Sequence, residues 1–138
     1  MESQLKYKVF TREKSVDELV YNCNLWTSDF EFIKIEISFL KRLLITFPFK
    51  SSIPNLFEKL QLFVRDLEQS DTIRTTIHET INTHNQQLRN KIKLKKISYD
   101  NEYLNSFDDM AEEVLAYLED YKKLKKKIYE YVIGMINT

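Results

Sequence analysis

Glycine is nearly absent from this chain. One residue of 138, Gly134, and two prolines, Pro48 and Pro54, leave little material for tight turns. A β-sandwich or barrel needs turn residues at roughly every 8–12 positions, so all-β folds are excluded. A lone glycine also excludes the glycine-rich loops that cradle phosphates in P-loop and dinucleotide-binding proteins. The single cysteine, Cys23, cannot form an internal disulfide and implies no oxidising compartment. Net charge is missing too, with 21 basic and 21 acidic residues, which removes any global attraction to nucleic acid or anionic membrane. No stretch approaches the roughly 18 uncharged apolar residues of a membrane span. Met1 to Phe10 lacks the apolar core of a secretory leader. These absences lead us to expect a soluble cytoplasmic protein that makes no use of a membrane.

The content is that of a helical domain. The mass of 16.7 kDa fits one domain, and 43% hydrophobic with 30% charged residues is a folded composition. Leu19, Cys23, Trp26, Phe30, Ile33, Ile37, Leu40, Leu44 and Phe47 recur at steps of four and three without exception. Such a coiled-coil-like seam predicts a long helix packed beside others. Ser15 and Glu18 form a capping-box pattern just before it, so the first helix is expected over about 16–47. Phe32, Ile35, Phe39 and Leu43 add a second apolar stripe, which places this helix at the centre of the bundle on the ground that two stripes need two neighbours. Residues 1–14, where Leu5, Tyr7 and Val9 alternate with Lys6 and Lys8, read as an extended arm.

Pro48 to Ser52 break the pattern, and a second helix is expected over 53–97 with Pro54 in its first turn. Its seam runs Leu56, Leu60, Phe63, Leu67, Ile77, Ile81, His84 and Leu88. Ser70 and Arg74 interrupt the seam among Asp71, Thr72, Thr75 and Thr76, so a break near 69–72 is the alternative, giving four helices. A third helix over 101–136 carries Phe107, Ala111, Val114, Leu118, Tyr121, Ile128, Val132 and Met135, flanked by Tyr117, Leu124 and Tyr131. Gly134 predicts fraying at its end. Short connections make successive helices antiparallel. The fold class is therefore all-α, an up-down-up antiparallel bundle of three long helices in a single domain spanning 1–138.

Charge is segregated along the chain. Asp100 to Tyr121 holds eight acids and no base, and Lys122 to Lys127 holds five lysines and no acid. The second helix ends in Arg89, Lys91, Lys93, Lys95 and Lys96. Folding the second and third helices together sets that basic end beside Asp108, Asp109, Glu112 and Glu113. It also sets Lys122, Lys123, Lys125, Lys126 and Lys127 against residues near 70–76. Neutralisation within the hairpin accounts for both blocks. It is preferred to the alternative, a polyanion-binding module that uses the same lysines and Arg89 with Tyr99 and Tyr103 as stacking platforms.

Chemistry is hard to find. A di-iron bundle needs Glu-x-x-His pairs, but Ile81 and Thr75 stand three residues before His84 and His78. The two histidines lie about 120° apart around a helix and cannot chelate together. Neither a metal nor a cofactor is called for. Asp108-Asp109 and Glu112-Glu113 read as a solvated helix face, and Cys23 as a small core residue. His84, on a seam, reads as part-buried beside a neighbour's hydroxyl. By elimination the expected role is a non-enzymatic interaction protein that binds a second copy of itself or another helical protein. Its surface would be drawn from Phe32, Ile35, Phe39, Leu43, Tyr117, Leu124 and Tyr131. A third reading, a small-ligand or metal-binding bundle, would use the interior around His84 and Trp26.

Overall fold

The computed structural model describes residues 14–50, 52–93 and 101–136. They form three helices: α1 (Val16–Thr46), α2 (Leu56–Lys93) and α3 (Asn101–Ile136). The expected arm over 1–14 lies almost wholly outside the described residues.

The start of α1 follows from its capping box. The Ser15 hydroxyl accepts from the Glu18 amide at 3.2 Å, satisfying one of the donors a helix start leaves without a partner. The helix ends at Thr46 because Phe47 precedes Pro48 and is held in the extended region, φ −66° and ψ 134°. Before α2, Asn55 takes a left-handed φ of 56°, a conformation its short polar side chain tolerates. Its carbonyl receives the Lys59 amide at 3.0 Å, so Pro54 stands in the turn ahead of the helix and not in its first turn.

Side-chain pairs give the topology. Phe30 of α1 meets His78 of α2, and Asn24 meets Asn85, so numbers fall on α2 as they rise on α1. The same reversal relates α2 to α3, where His84 meets Tyr103 and Ser70 meets Tyr117. Between α1 and α3 the order is parallel, with Trp26 beside Phe107 and Phe30 beside Tyr117. The bundle is up-down-up, as the sequence predicts.

The α1 seam is buried from Leu19 to Leu44, and only its last member, Phe47, emerges. It packs on both neighbours at once. The backbones of α1 and α2 run closest together and those of α2 and α3 next, whereas long side chains bridge α1 to α3. The central element is therefore α2, not α1. One seam sufficed for two neighbours because Trp26, Phe30 and Phe107 are large enough to span the wider gap.

Helix α2 is continuous through 69–72. Its polar seam residues find polar partners instead of breaking the helix. The Tyr117 hydroxyl lies 3.0 Å from Ser70 Oγ and donates to the Ser70 carbonyl at 3.1 Å. Arg74, although buried, turns to Asp71 at 2.8 Å and to Thr75 Oγ1 at 3.3 Å. Thr72, Thr75, Thr76, Thr80 and Thr83 each donate to the carbonyl one turn back. Their hydroxyls are thus absorbed by the helix itself. Likewise α3 is helical through Gly134 to Ile136.

Candidate interaction surface

The outer face of α1 carries the most conspicuous apolar surface. Phe32, Ile35 and Phe39 are 60%, 68% and 59% exposed, although each is a large hydrophobe in a well-formed helix. They lie opposite the buried seam, because Ile33 and Ile37 already turn the other side of the same turns inward. Tyr21 and Leu25, also exposed, extend the stripe toward the start of the helix. Counting back from Phe32 through Ser28 at steps of four and three reaches both of them. That spacing was the signal by which sequence reasoning could have found them. Leu43, the fourth expected member, is half-buried at the edge of the stripe.

The α3 residues expected to share this surface do not. Tyr117 is 5% exposed, its ring 5.2 Å from that of Phe30. Burial raises its phenol above the ordinary tyrosine range, and the bond from Ser70 partly offsets that rise. Tyr131 packs edge-on to Phe63 at 5.6 Å, and Leu124 is half-buried against the core. None of the three joins the α1 stripe, since Tyr117 faces Phe30 and Ser70 while Tyr131 and Leu124 turn toward α2.

The two basic blocks separate. Arg89 donates to Asn85 and reaches Asn24 of α1 at 3.5 Å, and the Lys91 ammonium lies 5.1 Å above the Tyr103 ring. The side chain of Lys93, and all of Lys95 and Lys96, fall outside the described residues. Lys125 turns to Glu36 of α1 at 3.1 Å, not to the α2 acids expected to face it. The Tyr121 hydroxyl donates to the same carboxylate at 2.6 Å, and Lys125 also stands over the Tyr121 ring. Burial first, and then the adjacent carboxylate, hold Tyr121 protonated far above the usual range. Lys126 reaches Glu130 only at 3.9 Å between exposed side chains, and Lys122, Lys123 and Lys127 are exposed. Because Tyr117 stands level with Ser70, the 122–127 block lies beyond it toward the start of α2. It is on the order of 35 Å along the bundle from Arg89.

Asp108 is buried and so leaves the solvated face expected of the Asp108-Asp109 pair. His84 and Trp26 do converge, both against Phe107. The His84 ring lies 5.4 Å from Phe107 and the Trp26 ring 6.2 Å. The phenylalanine occupies the space between them that a ligand would need. His84 Nδ1 is 3.5 Å from the Tyr103 hydroxyl, and burial lowers its pKa below 6.5. Among the described residues no group of three His, Cys, Asp or Glu side chains is placed to hold a metal ion. Nor, among them, is any helix long and apolar enough to cross a membrane.

One groove of about 690 Å³ lies between α2 and α3, lined by Ile73, Ile77, Ala116 and Leu124 together with Asp66, Glu113 and Asp120. No residue of α1 lines it. Comparison of the chain with protein families, with curated proteins and with solved structures finds no match.

Proposed function

We propose that this protein is a non-enzymatic helical interaction module that receives a partner helix along the outer face of α1. The observation that carries this reading is the exposure of Phe32, Ile35 and Phe39 on a helix whose core seam is already complete. An apolar stripe at four–three spacing on a rigid helix is the shape that another amphipathic helix recognises. Contiguous apolar patches of this kind mark interaction sites more often than scattered single residues do. Nothing on the stripe offers a nucleophile, an acid–base pair or a metal ligand set, and the proposed work is binding. A lone, buried thiol fits a reducing, cytoplasmic setting.

The test is site-specific photo-crosslinking in cells. A photoreactive phenylalanine at Ile35 is expected to trap a protein adduct, and one at exposed Glu119 is not. Adding Phe32→Glu should abolish the adduct while far-UV circular dichroism and the melting temperature stay unchanged. Equal adduct yields from positions 35 and 119 would remove the proposal.

A further inference from the structure

The groove between α2 and α3 is lined by acid and by no base. Along α2 from Asp66 to Leu88 the one Lys or Arg is Arg74, which is buried and turned to Asp71. Along α3 from Asn101 to Tyr121 there is none. Asp66, Glu113 and Asp120 line the groove, and among the described residues none of the three is ion-paired. Arg65 lines the α1–α2 side instead, and Lys125 is taken by Glu36. Lys123 and Lys127 follow only past Asp120, at one end. Between the acids lies apolar surface, where Ile73 is 52% exposed and Ile77, Ala116 and Leu124 continue the lining. Ala116 stands three residues after Glu113 and four before Asp120, so both carboxylates share its face of α3. Asp66, one turn before Ser70, comes level with Asp120 and Tyr121, one turn after Tyr117, so acid borders the groove from both walls. We infer that this groove docks a basic amphipathic helix of another protein, on a surface separate from the outer stripe of α1.

The shape suits a helix. From Asp66 to Ile77 and from Glu113 to Leu124 each wall advances eleven residues, about 16 Å or three turns. Spread over that length, the 690 Å³ has a cross-section of about 43 Å², roughly half that of a helix with its side chains. One face of a helix therefore enters while the other stays in water. A drug-sized molecule would be left half uncovered, whereas small-ligand sites bury most of their occupant. An extended peptide fares worse, because both walls use their backbone groups within their own helices and offer its main chain no partner. The occupant's apolar residues, at steps of four and three, lie on Ile73, Ile77, Ala116 and Leu124. Its Lys or Arg side chains flank that ridge and meet Asp66, Glu113 and Asp120.

The experiment titrates the full chain with two stapled helical peptides of about 18 residues, each with leucines at steps of four and three. One carries Lys beside the leucines and the other Glu. Methyl NMR follows Ile73, Ile77 and Leu124 in the groove and Ile35 on the α1 stripe, and fluorescence anisotropy gives the affinities. The Lys peptide is expected to move the groove methyls and, at low salt, to bind at least about tenfold more tightly than the Glu peptide. Glu113→Lys combined with Asp120→Lys, both at exposed positions, should reverse that preference. Because the reversal is a gain of binding, misfolding cannot mimic it. The same charge change at Glu68, which lines the α1–α2 side, and at Glu79, eleven residues on, should leave the preference in place. Equal affinities for the two peptides would overturn the inference, as would a reversal that Glu68→Lys with Glu79→Lys produces equally well. So would groove methyls that stay still while Ile35 responds, a result that leaves the docking role of α1 standing. Groove signals that shift with protein concentration before any peptide is added would assign the groove to a second copy, and that too would overturn it.

Discussion

The Tyr117 hydroxyl donates to the main-chain carbonyl of Ser70 across the α2–α3 interface, at 3.1 Å, and pairs with the Ser70 hydroxyl at 3.0 Å. One phenol thus satisfies the polar interruption in an otherwise apolar seam. Removing it in Tyr117→Phe leaves the ring on Phe30 but strips Ser70 of its partner. The expected loss is about 1–2 kcal/mol in urea unfolding, with the slope unchanged. Ser70→Ala together with Tyr117→Phe should cost less than the two single changes added, because both remove the same hydroxyl pair, while the bond to the Ser70 carbonyl is lost only with the phenol.

His84 makes stability depend on acidity. Its pKa in the folded protein lies below the 6.5 of the unfolded chain, because the ring is buried against Tyr103 and Phe107. The neutral ring is the one the fold accepts. This contribution is full above pH 6.5 and is lost as pH falls from there through the lowered folded value. Urea midpoints measured between pH 7.5 and 4.5 should decline through that window, and His84→Phe should remove the His84 part of the decline. A decline identical in the variant would show that other groups produce it.

Cys23 should resist thiol reagents while the protein is folded. It is fully buried, and burial pushes its pKa from 9.0 to about 12, with Arg89 opposing only part of the shift. At pH 8 that reduces the thiolate on the order of a thousandfold. Alkylation followed by mass spectrometry is expected to label the urea-unfolded protein within minutes and the native protein only at the rate of unfolding. Rapid native labelling would show that the start of α1 opens locally.

Gly134 is an avoidable weakness. It sits inside α3, and a Cβ added there would meet nothing within 4 Å. Gly134→Ala should raise stability by about 0.5–1 kcal/mol by restricting the unfolded chain and favouring the helix. Thermal unfolding measures it.

The long helices, their order and the α1 seam were legible without any structure. Steps of four and three place Leu19 through Leu44 on one side of a helix whatever surrounds it, and the Ser15–Glu18 box operates within four residues. Local rules of this kind act along the chain. The same spacing drew Phe32, Ile35 and Phe39 as a stripe, but it could not say whether a neighbour covers them. That answer depends on where α2 and α3 stand around α1. Tyr117 illustrates the reverse, since its flanking position on α3 suggested surface and the wide α1–α3 gap made it core.

Charge partners were the least legible feature. Lysines 122 to 127 have acids within reach on any neighbouring helix, and long side chains pair as readily with one as with another. Only the rotation of α3 chose Glu36 for Lys125. The polar run at 69–76 also stayed helical, with Thr72, Thr75 and Thr76 bonded to carbonyls one turn back and only Ser70 bonded across to Tyr117. What the chain determined by itself is the rhythm of apolar residues, and with it long helices in an up-down-up order. What only the tertiary structure decided is which faces meet, since a helix's own hydrogen bonds leave it free to rotate until packing with the others stops it.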